Sequence, residues 1–187
     1  SREQFLAVNA DATRRLAEIA ANEGRPPRFI HLSSLAAREP RLSPYAASKR
    51  AGEQALRALR ERLPTVVLRP PAVYGPGDKE TLELFRMAKA GLILLPPKGR
   101  LSLIHVDDLA RLLMTLAESR LPKKEVLEPD DGRPGGWTHR EFAGALGRAV
   151  GRRAVALETP RPLLRMGAAL DRLVRRDKAK LTPDRAA

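Results

Sequence analysis

Residues 43–53 read Ser-Pro-Tyr-Ala-Ala-Ser-Lys-Arg-Ala-Gly-Glu, SPYAASKRAGE. Ser43 is a good N-cap and Pro44 suits the first helical position, so the stretch predicts a helix over 44–62 with Tyr45 in its first turn. Tyr45 and Lys49 stand at i and i+4, which puts them on one helix face with Cβ atoms about 5–6 Å apart. A lysine cation beside a phenol favours the phenolate and makes the tyrosine a proton donor and acceptor near neutral pH. A serine hydroxyl from a neighbouring strand end would then hold a substrate oxygen while Tyr45 moves its proton. Tyr-x-x-x-Lys also arises on solvated helices, so the flanking sequence has to decide.

Upstream, Phe5, Val8, Leu16, Ile19 and Ala20 recur at helical spacing from Arg2 to about Glu23, with Gly24 where a helix stops. Arg28–Ser33 is a short apolar run behind two prolines, a buried strand that ends in Ser33 and Ser34. Downstream, Thr65–Arg69 predicts a second strand, closed by the loop PPAVYGPGD. A helix follows over Glu80–Ala90, then a strand over Leu101–His105 that runs into a helix begun by Asp107 or Asp108 and ending near Ser119. Glu125–Leu127 predicts a strand, Thr138-His139-Arg140-Glu141 a capping box, Val155–Leu157 a strand, and Leu163 to about Arg176 a last helix. LTPDRAA begins another.

Strands alternating with helical stretches of about 10 to 20 residues argue for βαβ units and an α/β, Rossmann-type parallel sheet with helices on both faces. Such sheets bind ligands at the carboxyl ends of their strands. There lie Ser33 and Ser34, the segment Arg69–Asp78, and His105 with Asp107 and Asp108.

Composition narrows the partners. With 187 residues and 43% hydrophobic content, the chain is long enough for one real core. No apolar run approaches the roughly 20 residues of a membrane span, and the first residues lack a secretory pattern, so a soluble, cytoplasmic protein is expected. Zero cysteines exclude disulfides and thiol catalysis. The net charge of +13 would suit an anionic partner. Its densest groups, Arg57–Arg62 and Arg172–Lys180, fall on amphipathic segments, and 4% aromatics offer few stacking platforms, which argues against nucleic acid. His105, Asp107 and His139 imitate an iron-binding facial triad, but that site needs a barrel scaffold, so no metal is expected. His31 reads as a satisfied interior histidine, and Trp137 as an apolar staple before the capping box.

The ordered motifs NADATRRLAE, RFIHLSS, YAASKRAGE, LRPPAVYGPGD and IHVDDLA resemble the extended short-chain dehydrogenase/reductase superfamily, the NAD(P)-dependent epimerase/dehydratase group, over roughly Phe5 to Val150. The resemblance implies Ser34 as the catalytic serine, Tyr45 as the acid/base, and Lys49 as both its tuner and a ligand of the nicotinamide ribose of NAD or NADP. It places Tyr45, Ser33, Pro70, Pro71, Ala72 and Val73 along the cofactor as well, makes Asn9 a structural and relay position, and sets Tyr74, Gly75 and Asp78 at the substrate mouth. It implies a core over 1–120 and a smaller, mostly helical substrate-side subdomain over 121–187, interleaved with 70–100. It also implies a homodimer built through a four-helix bundle.

Three departures qualify the resemblance. No GxxGxxG turn occurs, so the implied N-terminal βαβ cofactor-binding half, two or three βα units or about 60–100 residues, is not in this sequence. The Ser34–Tyr45 interval lacks the Val-Tyr-Gly-like turn of many sugar-nucleotide enzymes, which weakens a nucleotide-sugar substrate. The segment from Pro160 onward is similar to the accessory subunit of respiratory complex I and to reductases of lipid-like or small carbonyl substrates. The expectation is an oxidoreductase or epimerase acting on a nucleotide sugar, a lipid-like or a small carbonyl compound. The alternative is a non-catalytic dinucleotide-binding or assembly subunit.

Overall fold

A computed structural model describes residues 1–96, 99–119 and 125–158. The helix expected over Leu163–Arg176, the start of one in LTPDRAA and the basic run Arg172–Lys180 lie outside the described residues. In chain order the elements are α1 (Arg2–Leu6), a π turn (Ala7–Asp11), α2 (Ala12–Ala21), β1 (Phe29–Leu32), a 3-10 turn (Leu35–Arg38), α3 (Pro44–Arg57), β2 (Thr65–Leu68) and β3 (Ala72–Tyr74). They continue with α4 (Lys79–Lys89), β4 (Leu92–Leu95), β5 (Arg100–Leu101), β6 (Leu103–His105), α5 (Val106–Glu118), β7 (Val126–Leu127), β8 (Trp137–Thr138), α6 (His139–Ala149) and β9 (Val155–Glu158). Two compact units result, one of Ser1–Val73 with Leu103–Gly132, the other of Tyr74–Ser102 with the described residues from Arg133 on.

The first unit is built on a parallel sheet of order β1-β2-β7, paired Phe29↔Thr65 through Leu32↔Leu68 and Val67↔Val126, Leu68↔Leu127. Successive side chains on a strand point to opposite faces. Val67 accordingly packs with Ala17 and Ala21 of α2 and with Leu56 and Leu63, while Val66 and Leu68 pack with Ile104 and with Leu109 and Leu116 of α5. Helices therefore cover both faces, as the alternation of the sequence predicts. Arg28 fastens the far end, its guanidinium donating to the Leu116 carbonyl at 2.8 Å and so capping the last turn of α5.

In the second unit β4 pairs parallel with β9, β5 pairs antiparallel with β8, and Ile93, Leu95, Phe142 and Leu146 form buried apolar surface. The Thr138–Glu141 capping box is present. Arg133 lies 4.0 Å over the Trp137 ring.

Several boundaries differ from the sequence reading, each for a local reason. α3 ends at Arg57 rather than at residue 62, because Pro64 disfavours a helical residue before it and the chain unwinds through turns to Leu63. Ala72–Tyr74, expected inside a loop, is a strand that pairs with β6, since the preceding prolines leave the chain already extended. The strand expected over Leu101–His105 is split at Ser102 into β5 and β6. His105 rather than an aspartate caps α5, its Nδ1 accepting from the Asp107 N–H at 3.3 Å. β7, within the strand expected over Glu125–Leu127, is the third strand of the parallel sheet. β4 was not anticipated.

One close approach holds the layer of helices together. A Cβ on Gly52 would stand 2.2 Å from the Asn9 carbonyl oxygen in the π turn, so only glycine lets the two backbones meet there. Gly52→Ala in the full-length protein is expected to lower unfolding stability by about 1–3 kcal/mol in urea titrations. Gly24→Ala, whose Cβ would meet nothing within 4 Å, is expected to change it by no more than a few tenths.

Candidate active site

Ser43 caps α3, its hydroxyl accepting from the Ala46 N–H at 3.1 Å, and Pro44 opens the first turn. Tyr45 is thereby fixed at the carboxyl edge of the sheet with its ring 38% exposed. The Phe5 ring meets it edge-on, centroids 5.8 Å apart at 70°. One turn on, the Lys49 ammonium lies 5.9 Å from the Tyr45 ring centre and donates to the Leu32 carbonyl at 3.2 Å. Burial of its stem pushes the Lys49 pKa below the ordinary lysine value.

Ser33 and Ser34 follow β1 with opposite fates. Ser33 is buried on the α3 side and donates its hydroxyl to Glu53 Oε1 at 2.6 Å. Ser34 caps the 3-10 turn, its Oγ accepting from the Ala36 N–H at 3.3 Å, which leaves the hydroxyl proton available to a substrate oxygen. The Pro70 carbonyl accepts from the Leu35 N–H at 2.9 Å and ties this turn to the end of β2. Pro71 and Ala72 continue that chain, and Val73 packs on the α5 side of the sheet. Tyr74, Gly75 and Asp78 belong to the second unit, where the Asp78 carboxylate caps α4 through the Glu80 and Thr81 N–H groups at 2.9 and 3.1 Å. Gly75 takes φ 148°, a value that favours glycine.

Asn9 supports Tyr45 from behind. Its Nδ2 donates to Ser48 Oγ at 3.0 Å, and that hydroxyl donates to the Tyr45 carbonyl at 2.8 Å.

Sequence reasoning missed the charged cluster beneath these groups. Arg69 grips Glu53 with two hydrogen bonds, 2.8 and 2.6 Å, and reaches Glu128 at 3.2 Å; Arg38 closes the far side of Glu128. Burial alone would raise the Glu53 pKa, but the hydrogen bonds from Arg69 and Ser33 overcome it and hold the carboxyl below its ordinary range. The signal available was Glu53 at helical spacing from Lys49 and Leu56, a carboxylate on an inward face. Its partner, 16 residues away, is not visible from spacing.

His31 was expected to be satisfied and is not: its Nε2 is buried without a hydrogen-bond partner. Burial, aided by the charge of Lys49 and opposed by Glu53, lowers its pKa to about 4. Among the described residues no group of three or more side chains could hold a metal ion. None of the helices described is long and apolar enough to cross a membrane.

The Lys49 ammonium is partly desolvated and spends one of its three donors among the described residues, beside the exposed Tyr45 phenol, a donor set whose chemistry suits the hydroxyl groups of a sugar. These residues fit the nicotinamide-ribose end of NAD(P).

Comparison with known proteins agrees with this fold. The family described as the NAD dependent epimerase/dehydratase family matches residues 1–128, and the chain belongs to that family. A relative named ceramide reductase, from Caulobacter vibrioides (strain NA1000 / CB15N), is 43% identical over 172 residues, 90% of this chain and 52% of that protein. MoeE5 in complex with UDP-glucuronic acid and NAD superposes with a TM-score of 0.64 at 26% identity, over 83% of this chain and 58% of that one. UDP-glucuronic acid 4-epimerase from Bacillus cereus in complex with NAD gives 0.66 at 19% identity, over 85% and 59%. The chain thus spans about half the length of its curated relative and less than two thirds of these structures.

His31 sets a pH test. Folded, it stays neutral down to about pH 4, whereas an unfolded histidine takes a proton near 6.5, so between these values the unfolded chain binds more protons. Its contribution is complete above pH 6.5 and is lost as pH falls toward 4, about 3 kcal/mol in all. Urea titrations of the full-length protein from pH 7.5 to 4 should show that slope, and His31→Leu should remove it.

Proposed function

We propose that this chain supplies the proton-transfer site of an NAD(P)-dependent oxidoreductase of the extended short-chain dehydrogenase type. One observation carries the reading: Lys49, anchored at 3.2 Å on the carbonyl of Leu32, the last residue of β1, sits 5.9 Å from the ring of an exposed Tyr45, and Ser34 lies two residues beyond that carbonyl. NAD(P)H, when bound, supplies the hydride that a substrate carbonyl carbon accepts. Tyr45 gives its hydroxyl proton to the carbonyl oxygen as the alcohol forms, Ser34 holds that oxygen by a hydrogen bond, and Lys49 stabilises the phenolate left behind. In the reverse direction the same groups accept the proton. Lys49 also binds the nicotinamide ribose.

For the substrate, identity to a ceramide reductase supports a ketone-bearing, ceramide-like lipid. That choice agrees with the Ser34–Tyr45 interval, which lacks the turn expected of nucleotide-sugar enzymes. Exposed Val8, Leu16 and Ile19, on the π turn and α2, support a homodimer through the helices.

Tyr45→Phe in the full-length protein is expected to leave NADPH or NADH binding within about twofold and to lower kcat by about 100-fold or more, followed by cofactor absorbance with a ketone-bearing ceramide. Lys49→Ala should weaken cofactor binding and turnover together. Unchanged turnover in Tyr45→Phe refutes the assignment. Cofactor binding by the unmodified protein without turnover of any carbonyl tested replaces it with a non-catalytic dinucleotide-binding subunit.

A further inference from the structure

On the flank of α3 turned away from Gly52, a cavity of about 420 Å³ opens between the helix and the sheet. Ser34, Tyr45 and Lys49 do not line it. Arg50 and Arg57 of α3 and Arg60 in the turn after it line the hollow, with Arg69 and Thr65 of the sheet side. We propose that this hollow is a second binding site, for an organic phosphate.

Charge gives the first argument. These four guanidinium groups face two carboxylates, Glu53 and Glu125. Glu53 is held by Arg69 through two bonds and by Arg50 at 3.3 Å, so these three charges offset one another and the attraction falls to Arg57 and Arg60. Arg57 has no hydrogen-bond or ion-pair partner among the described residues, and Arg60 is engaged only by its exposed chain neighbour Glu61 at 3.0 Å. Guanidinium forks match phosphate oxygens two at a time, as lysines would not.

Shape gives the second. The volume falls in the range of small-molecule sites, larger than a bare phosphate needs. An inorganic ion would leave most of that space to water, while an organic phosphate would fill it. The ligand is then either a soluble phosphate ester or the headgroup region of a phospholipid. The site stands on the cavity and its arginines, independently of the reaction assigned to Tyr45.

The test uses the full-length protein with NADH at saturation, so that the dinucleotide site is filled. Titration calorimetry with phenyl phosphate and with inorganic phosphate is expected to show one site, at least threefold tighter for phenyl phosphate, weakened by added salt. Arg57→Gln with Arg60→Gln should weaken phenyl phosphate at least tenfold without lowering Tm, and Arg57→Lys alone should give an intermediate loss. Co-sedimentation with phosphatidylcholine vesicles containing phosphatidylglycerol, displaced by phenyl phosphate and lost in the double variant, identifies a lipid headgroup. Phenyl phosphate binding without co-sedimentation identifies a soluble ester. No phenyl phosphate binding, equal affinity for inorganic phosphate, or binding unchanged in the double variant overturns the proposal.

Discussion

The Glu53–Arg69 ion pair is the constraint on which the candidate site depends. Both side chains are nearly buried, 7% and 11% exposed, so each charge relies on the other rather than on water. Removing one member of such a pair typically costs about 3–5 kcal/mol, because the survivor is left charged and unsolvated. The pair joins α3 to the end of β2, and through Ser33 and Glu128 it reaches the ends of β1 and β7. Since neighbouring residues on a strand face opposite ways, committing Ser33 to Glu53 turns Ser34 to the other side. The proton-bearing hydroxyl of the proposed mechanism is thus aimed by a charge cluster it does not touch.

α3 itself is divided by function along its length. Tyr45, Lys49, Gly52 and Leu56, spaced four, three and four residues apart, share one stripe, on which Tyr45 and Lys49 lie toward the strand ends, Gly52 meets the π turn and Leu56 joins the core, while Arg50 and Arg57 stand on the neighbouring flank. A helix of 14 residues holds the tasks of that stripe apart because a rise of about 1.5 Å per residue separates them along the axis. The same geometry means that a shift of α3 along its axis would disturb all of them together.

The alternation of strands and helices, the Ser43 and Thr138 caps and the pairing of Tyr45 with Lys49 were legible in the sequence because each rests on local spacing. Membership in the family was legible for the same reason, since five motifs in order carry it. What escaped is non-local. Arg69 read as a strand end, and nothing nearby announced that it would pair with Glu53. β3 has three residues, too few for a period, and exists because β6 offers it hydrogen bonds. His31 looked like a satisfied interior or edge histidine, and its Nε2 is instead buried beside Gly52, which has no side chain to offer it a partner.

The π turn at Ala7–Asp11 places one extra residue in a helical path, with the Ala12 N–H reaching back to the Ala7 carbonyl. An added residue advances everything before it by about 100° around the axis. Phe5 therefore faces Tyr45 while Ala17 and Ala21 face the sheet, two directions that one unbroken α-helix would not serve from these positions. In evolutionary terms the segment is a phase shifter: deletion of a single residue there would keep the helix and its core contacts yet swing Phe5 off the tyrosine. Length at this point is under tighter constraint than residue identity.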